Sequence, residues 1–263
     1  MKIKDKDFYT KHLHRQKDIE LGKRIVDYIN SVINSHSIEV TDFLDPHQRY
    51  IAKSILNRFD IGYHFEGIGQ NCERKIIVMY QNYIDTSQLD LETQLMKING
   101  KSKFFEITHR DVLGSLLGLG LDRSKIGDIL ILDDEIQIIV SKKISFYIET
   151  HLEKIGKVGV KAVNIDSKCI LEVVPKAEEI AINVSSLRLD SIVAATYNLN
   201  RQSAANLIKN EKVKLNWTIE TKVFLEVDIE DQISVRGHGR FRIKSLDGQT
   251  KKGRYRVTVM KLI

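Results

Sequence analysis

Between residues 90 and 174 the hydrophobic pattern runs strand, helix, strand, strand, helix, strand, and no other feature constrains the fold of this 263-residue chain as tightly. The pieces fall at residues 97–108, 110–117, 128–132, 135–141, 144–154 and 158–166. Asp133-Asp134-Glu135 reads as the hairpin turn between the two central strands. That order is a split βαβ arrangement, a four-stranded sheet with both helices on one face. The first sixty residues read differently, because Leu13, Ile25, Val26, Ile29, Val32 and Ile33 recur at three- and four-residue spacing, as on one long amphipathic helix. Asp45-Pro46, a capping acceptor followed by proline at the first helical position, starts a second helix through Tyr50, Ile51, Ile55 and Leu56. Residues 61–65 and 76–80 are strand-like runs on either side of a Gly-containing loop.

These segments predict an α+β, multidomain chain. A small mixed domain covers residues 1–84, the split βαβ domain 85–178, and a third module 185–263, after an acidic connection at 175–179. The middle order is that of ferredoxin-like and RRM-like folds. An RRM that binds RNA across its sheet carries an aromatic strand of the Lys/Arg-Gly-Phe/Tyr-Gly-Phe type. Phe104-Phe105 is the nearest match and lacks the rest, so the middle domain reads as an RRM-like scaffold without the usual stacking surface. With 42% hydrophobic and 29% charged residues the chain is globular rather than disordered. It has neither eighteen consecutive apolar residues nor an apolar stretch behind Met1-Lys2-Ile3-Lys4-Asp5, so a cytoplasmic protein without a membrane span is expected. Cys72 and Cys169 are far apart and outside any metal-binding spacing, which fits a reducing compartment and buried thiols.

Charge separates the third module from the rest. Of 41 Lys+Arg and 35 Asp+Glu, residues 185–263 hold 15 and 8, a net +7; the other 184 residues hold 26 and 27, a net −1. A terminal module of that sign is built for a polyanion. In the run 236–244, Arg236, His238, Arg240, Arg242 and Lys244 alternate with glycine or with Phe241 and Ile243, as on a strand with one cationic face. Lys252, Arg254 and Arg256 alternate likewise with Tyr255, Val257 and Val259. Asp247-Gly248 between them signals a turn, so a hairpin with both cationic sets on one face is expected. Like charges facing each other across a hairpin repel, and an anionic partner relieves that repulsion.

The most specific pattern lies at 187–235. Leu189, Ile192, Val193 and Tyr197 share a helix face; Asn200 can cap a second helix on which Ala204, Leu207 and Ile208 form an apolar stripe opposite Gln202, Asn206 and Lys209. Strand-like segments at 212–216 and 227–235 follow. The succession Arg188-Leu189-Asp190, Arg201, Ser203, Ile208, Val213, Asn216, Asp231, Ile233 and Val235 resembles the S4 RNA-binding domain. Glu211 and Trp217 stand where that family usually has glycine. The resemblance implies that Arg188, Arg201, Gln202, Ser203, Asn206 and Lys209 face the phosphates and sugars of a structured RNA. Lys212, Lys214, Arg236, Arg240, Arg242, Lys244, Arg254 and Arg256 extend that surface.

Further segments resemble the bacterial YlmH family: Phe43-Leu44-Asp45-Pro46-His47-Gln48, Glu73-Arg74-Lys75, His109-Arg110-Asp111-Val112-Leu113-Gly114, Gly118-Leu119-Gly120-Leu121-Asp122-Arg123 and Ile126-Gly127-Asp128-Ile129. The resemblance covers nearly the whole chain. It implies a cytoplasmic factor, similar to the heat-shock S4 protein, that engages large ribosomal subunits carrying a stranded peptidyl-tRNA in ribosome quality control. The partners implied are rRNA and tRNA, with no cofactor and no metal, and the chain is expected to act as a monomer.

The competing class is an RNA-modifying enzyme, of pseudouridine synthase or methyltransferase type, with an appended S4 domain. Gly67-Ile68-Gly69 lacks the third glycine of a dinucleotide loop, and no catalytic Asp in a large sheet domain presents itself. His109-Arg110-Asp111 stands without a Gly-rich loop, strand lysine or DFG. His12 and His14, on a polar helix, would point apart. The sequence therefore favours RNA binding without catalysis.

Overall fold

The computed structural model describes residues 3, 5–69, 72–100, 106–173 and 176–262. Phe104-Phe105 lie outside them. The chain divides into two compact units, Met1–Val173 and Val174–Ile263.

The first unit opens with helices α1 (Lys6–Thr10) and α2 (Gln16–Ser35), strand β1 (Glu39–Val40), helix α3 (Pro46–Leu56) and strands β2 (Gly62–Glu66) and β3 (Ile76–Tyr80). Helix α2 forms because Leu21, Ile25, Val26, Ile29 and Val32 fall on one stripe, and all five are buried. It ends at His36, whose φ of 53° is the left-handed C-cap conformation. The single long helix expected from the spacing is instead two, and His12 and His14 lie in the connection between them, where His12 Nε2 meets Ser54 Oγ at 2.9 Å. Helix α3 starts where its sequence signal placed it: the Asp45 side chain accepts from Gln48 N, and the Gln48 side chain accepts in return from Asp45 N. The three strands form an antiparallel sheet in the order β1-β3-β2.

The same unit continues with β4 (Thr93–Asn99), α4 (His109–Gly118), β5 (Ile126–Leu132), β6 (Glu135–Ser141), α5 (Lys142–His151), the short pair β7 (Lys154–Ile155) and β8 (Val158–Gly159), and β9 (Lys161–Ile165). These make a four-stranded sheet, β5-β6-β4-β9, with every neighbour antiparallel. Alternation along the strands sends Met96, Ile98, Ile136, Ile138 and Val140 into one core with Val112 and Leu116 of α4 and Ile148 of α5. Both helices therefore cover the same face. Leu95 and Ile139 point the other way, into a second cluster with Phe43, Ile68, Cys72, Ile76 and Val78. The two sheets of this unit are thus sealed to each other by a shared core. Gly127 marks how close the approach is, since a Cβ there would lie 2.7 Å from the Phe43 ring.

The second unit holds β10 (Ala177–Val184), α6 (Leu189–Thr196), α7 (Arg201–Lys209), β11 (Val213–Leu215), β12 (Thr218–Ile219), β13 (Gln232–Val235), β14 (Gly239–Gln249) and β15 (Tyr255–Leu262). Its sheet runs β10-β15-β14-β13-β11-β12, again antiparallel throughout. Two expectations are corrected. Residues 177–179 are no connection: they begin β10, which pairs with β15 over its whole length, so this unit starts before Ser185. The hairpin turn is at Lys251-Lys252-Gly253, not at Asp247-Gly248. Asp247 accepts hydrogen bonds from the Ser245 and Thr258 hydroxyls, and the register slips between Leu246 and Gln249 around Gly248 at φ +88°, so this pair forms a bulge inside β14. Leu189, Ile192 and Val193 of α6 and Ala204 and Ile208 of α7 share one core with Val213, Ile233, Val235, Phe241, Ile243, Val257 and Val259. Both helices therefore lie on a single face of this sheet.

Candidate nucleic-acid interface

The two helices of the second unit are joined at a buried carboxylate. Asp190, 3% exposed, accepts from Arg188 Nε at 3.1 Å and Nη2 at 2.9 Å, and from Arg201 Nη2 at 3.0 Å. Burial pushes its pKa up, but the hydrogen bonds and charges of Arg188 and Arg201 outweigh that effect and hold it below the usual carboxylate value. Arg188 also lies over the exposed Phe224 ring, 3.8 Å from its centroid. Two arginines read from sequence as RNA contacts are thus bound first to the protein. Neither is withdrawn from a ligand, since their side chains keep 30% and 52% of their exposure.

On α7, Asn200 caps the helix through Ser203 N at 2.7 Å. Ser203 is half-buried, whereas Gln202, Asn206 and Lys209 are exposed along one face, with Gln202 Nε2 donating to Asn206 Oδ1 at 3.2 Å. Just beyond the helix, Glu211 has φ 58°, and Asn216 and Trp217 have φ 48° and 65°. Glu211 and Trp217 take up the left-handed conformation for which glycine is better suited. That geometry sends the chain from α7 into β11 and brings Arg236 N onto the Lys212 carbonyl at 2.8 Å. The exposed cations Lys212 and Arg236 therefore lie on neighbouring backbone.

The remaining expected residues lie on the other face of the sheet. Since Phe241, Ile243, Val257 and Val259 point toward the helices, Arg240, Arg242, Lys244 and Arg256 point away from them, as does Lys214 on β11. Here three expected contacts are already engaged. Arg242 Nη1 donates to Glu230 Oε2 at 2.8 Å, Lys244 is ion-paired with Glu179 of β10, and the Arg240 guanidinium lies against the Gln232 side-chain amide. The expected repulsion across the hairpin is also absent. Across the hairpin Arg242 is opposite Met260, and the residues on either side of Arg256, Tyr255 and Val257, face Gln249 and Leu246, because the bulges in β14 shift the cationic sets past each other. Arg254 belongs to the turn, where its N–H donates to Thr250 Oγ1. Among the described residues, Lys209, Lys212, Lys214, Arg236, Arg254 and Arg256 make no ion pair. The fourteen expected residues therefore fall on two faces, apart from Arg254 in the turn.

Tyr197, at the end of α6, was legible in the sequence only as part of that helix's apolar face. Its ring packs edge-on against His238 and Phe241 and carries Lys261 Nζ 5.5 Å from its centroid, while burial raises its hydroxyl pKa to about 12. Only the third dimension pairs these residues.

Residues 86–168, spanning β4 to β9, match the family model described as "Putative RNA-binding domain in YlmH". The "Ribosome-associated protein quality control protein P2" of Bacillus subtilis (strain 168) is 34% identical over 236 residues, which cover 90% of each chain. The chain belongs to the YlmH family. A solved structure of the "Cell division protein ylmH from Streptococcus pneumoniae", 24% identical, superposes with a TM-score of 0.52 over 60% of this chain and 97% of that one, a likeness of fold. In this YlmH-family chain, the face of the matched domain's sheet that lies away from its helices is closed by Phe43, Ile76 and Val78. No helix among the described residues is long and apolar enough to cross a membrane.

Proposed function

We propose that this YlmH-family chain is a non-enzymatic, cytoplasmic RNA-binding factor of ribosome-associated quality control. Its C-terminal unit is an S4-type module that grips structured rRNA and tRNA. The observation that carries the reading is the set of exposed cations in that unit without a carboxylate partner, led by Lys209, Lys212 and Arg236 around the end of α7. Surface charge left unpaired on one module is the footprint of a phosphate-binding protein. The name of the Bacillus subtilis relative supports the ribosome as the place of action. We extend this to the large subunit carrying peptidyl-tRNA, engaged by a monomer. The middle sheet, RRM-like in its strand order, acts as a scaffold, because its open face is occupied by the N-terminal sheet.

If about five phosphates are neutralised, log K falls with log salt at a slope near −4. Titration of the full chain against structured RNA at several salt concentrations measures it, and a flat slope removes the electrostatic reading. Lys209→Ala with Lys212→Ala and Arg236→Ala flattens the slope by about 3 without lowering the melting temperature. An unchanged slope moves the surface to the outer sheet face, Lys214 and Arg256. Co-sedimentation with separated subunits tests the large-subunit assignment. Methyl transfer to RNA, or conversion of uridine, by the full chain would replace this reading with the enzyme class.

A further inference from the structure

A cavity of about 260 Å³ opens in the first unit between the N-terminal helices and the turn before β5. Arg24 of α2, Arg74 ahead of β3 and Arg123 ahead of β5 all line it. Arg74 Nη2 donates to the Phe43 carbonyl at 2.8 Å, while its Nε is buried without a partner. Arg123 Nη1 donates to the carbonyls of Ile126 and Gly127. Among the described residues, none of the three guanidiniums is ion-paired.

Two carboxylates also line the cavity, and both are engaged. Asp42 is held by Lys125 and by Ser124 Oγ, and Asp45 caps α3. Arg74 and Arg123 therefore face the cavity without an ion-pair partner among the described residues, although the charges of Asp45, Asp128 and Glu73 act on Arg74 and those of Asp128 and Glu73 on Arg123. Burial lowers the Arg123 pKa to about 10, with repulsion from Arg74 the next cause. Placing guanidiniums together, with donors unused, favours an anion that accepts from more than one of them. The volume is just below the roughly 300–1,000 Å³ of pockets that take drug-sized molecules, so it suits a phosphate group with little attached.

We propose that this cavity is a phosphate-binding site, taking a phosphate monoester from a free nucleotide or from the end of an RNA chain, with Arg24, Arg74 and Arg123 as its ligands. The site is separate from the cationic surface of the C-terminal unit, and its existence does not rest on the quality-control reading. Because Arg74 leads into β3 of one sheet and Arg123 into β5 of the other, an occupied site also braces their seam.

Calorimetric titration of the full chain tests it with inorganic phosphate, adenosine monophosphate, and a short oligoribonucleotide with and without a 5′-phosphate. Binding of phosphate and the mononucleotide identifies a free ligand. Tighter binding of the 5′-phosphorylated oligonucleotide than of its 5′-hydroxyl twin identifies an RNA end. In either case Arg24→Glu, at an exposed position that the core does not use, weakens binding of the phosphate probe about tenfold or more. Arg123→Lys, which keeps the charge but loses the fork, weakens it as well. Absence of binding by every probe up to about 10 mM overturns the proposal. So does binding that both variants leave unchanged in a chain that still melts as the parent does.

Discussion

Asp190 and Glu211 show how single residues set the C-terminal unit. A carboxylate 3% exposed stays ionised only if its surroundings replace water, and Arg188 and Arg201 do so with three hydrogen bonds. Asp190→Asn leaves two guanidiniums without their counter-charge, so we expect a loss of about 2 kcal/mol, read by denaturant unfolding of the C-terminal unit. The pH dependence has a definite sign. Since the folded pKa lies below the ordinary 3.8, this stabilisation is complete above about pH 4 and is lost as the pH falls through the folded value. The variant lacks that acid-dependent contribution. At Glu211, φ 58° costs an L-residue more than glycine. Glu211→Gly is expected to stabilise the unit by about 0.5–1 kcal/mol, with the same fold by NMR. The Arg188-Leu189-Asp190 pattern was legible in the sequence, but its meaning was not. Arg201 is eleven residues from Asp190, and nothing in the spacing says that their side chains meet.

At the scale of elements, short-range chemistry was read where it acts locally. The Asp45-Pro46 start of α3, the ends of β6 and the order of strands and helices in the middle sheet follow from neighbours in sequence. Readings failed where a distant partner decides. Asp247-Gly248 has the composition of a turn, yet Thr258 on the facing strand captures the Asp247 carboxylate and turns the pair into a bulge. Residues 175–179 read as a polar connection because of Glu178 and Glu179, yet they lead into β10, whose Ile182 and Val184 are buried in the C-terminal core and which covers the β15 edge. This has a measurable consequence. A fragment of residues 176–263 should fold alone, whereas 185–263 loses two buried side chains worth about 1.5–3 kcal/mol each, along with an eight-residue strand ladder. Set against the roughly 5–15 kcal/mol of a whole domain, that loss should leave the shorter fragment melting far below the longer one by circular dichroism. Equal melting temperatures would mean that β10 is dispensable.

The whole molecule consists of two units, and the charge count already pointed to a division, with a net −1 over residues 1–184 and +7 over 185–263. What composition could not convey is that the first unit is itself two sheets closed on one another. Their common cluster draws Phe43 and Cys72 from loops, Ile76 from the N-terminal sheet, and Leu95 and Ile139 from the middle one, residues up to 96 positions apart. Burial there raises the Cys72 thiol to about 12, so the cysteine serves as packing. The C-terminal core contains none of these side chains. Phe43→Ala therefore removes a 2%-exposed ring from the first unit only, at a cost of about 3–5 kcal/mol. For a unit of this length that is a fall of roughly 10 °C in its melting temperature. Calorimetry of the full chain should resolve two transitions, of which the variant lowers one. Affinity for an RNA without a terminal phosphate, at a temperature below both transitions, should be unchanged, because the cations proposed to grip its chain belong to the unit that the substitution leaves intact. A single transition that moves as a whole, or a parallel loss of RNA affinity, would show instead that the two units fold or bind as one.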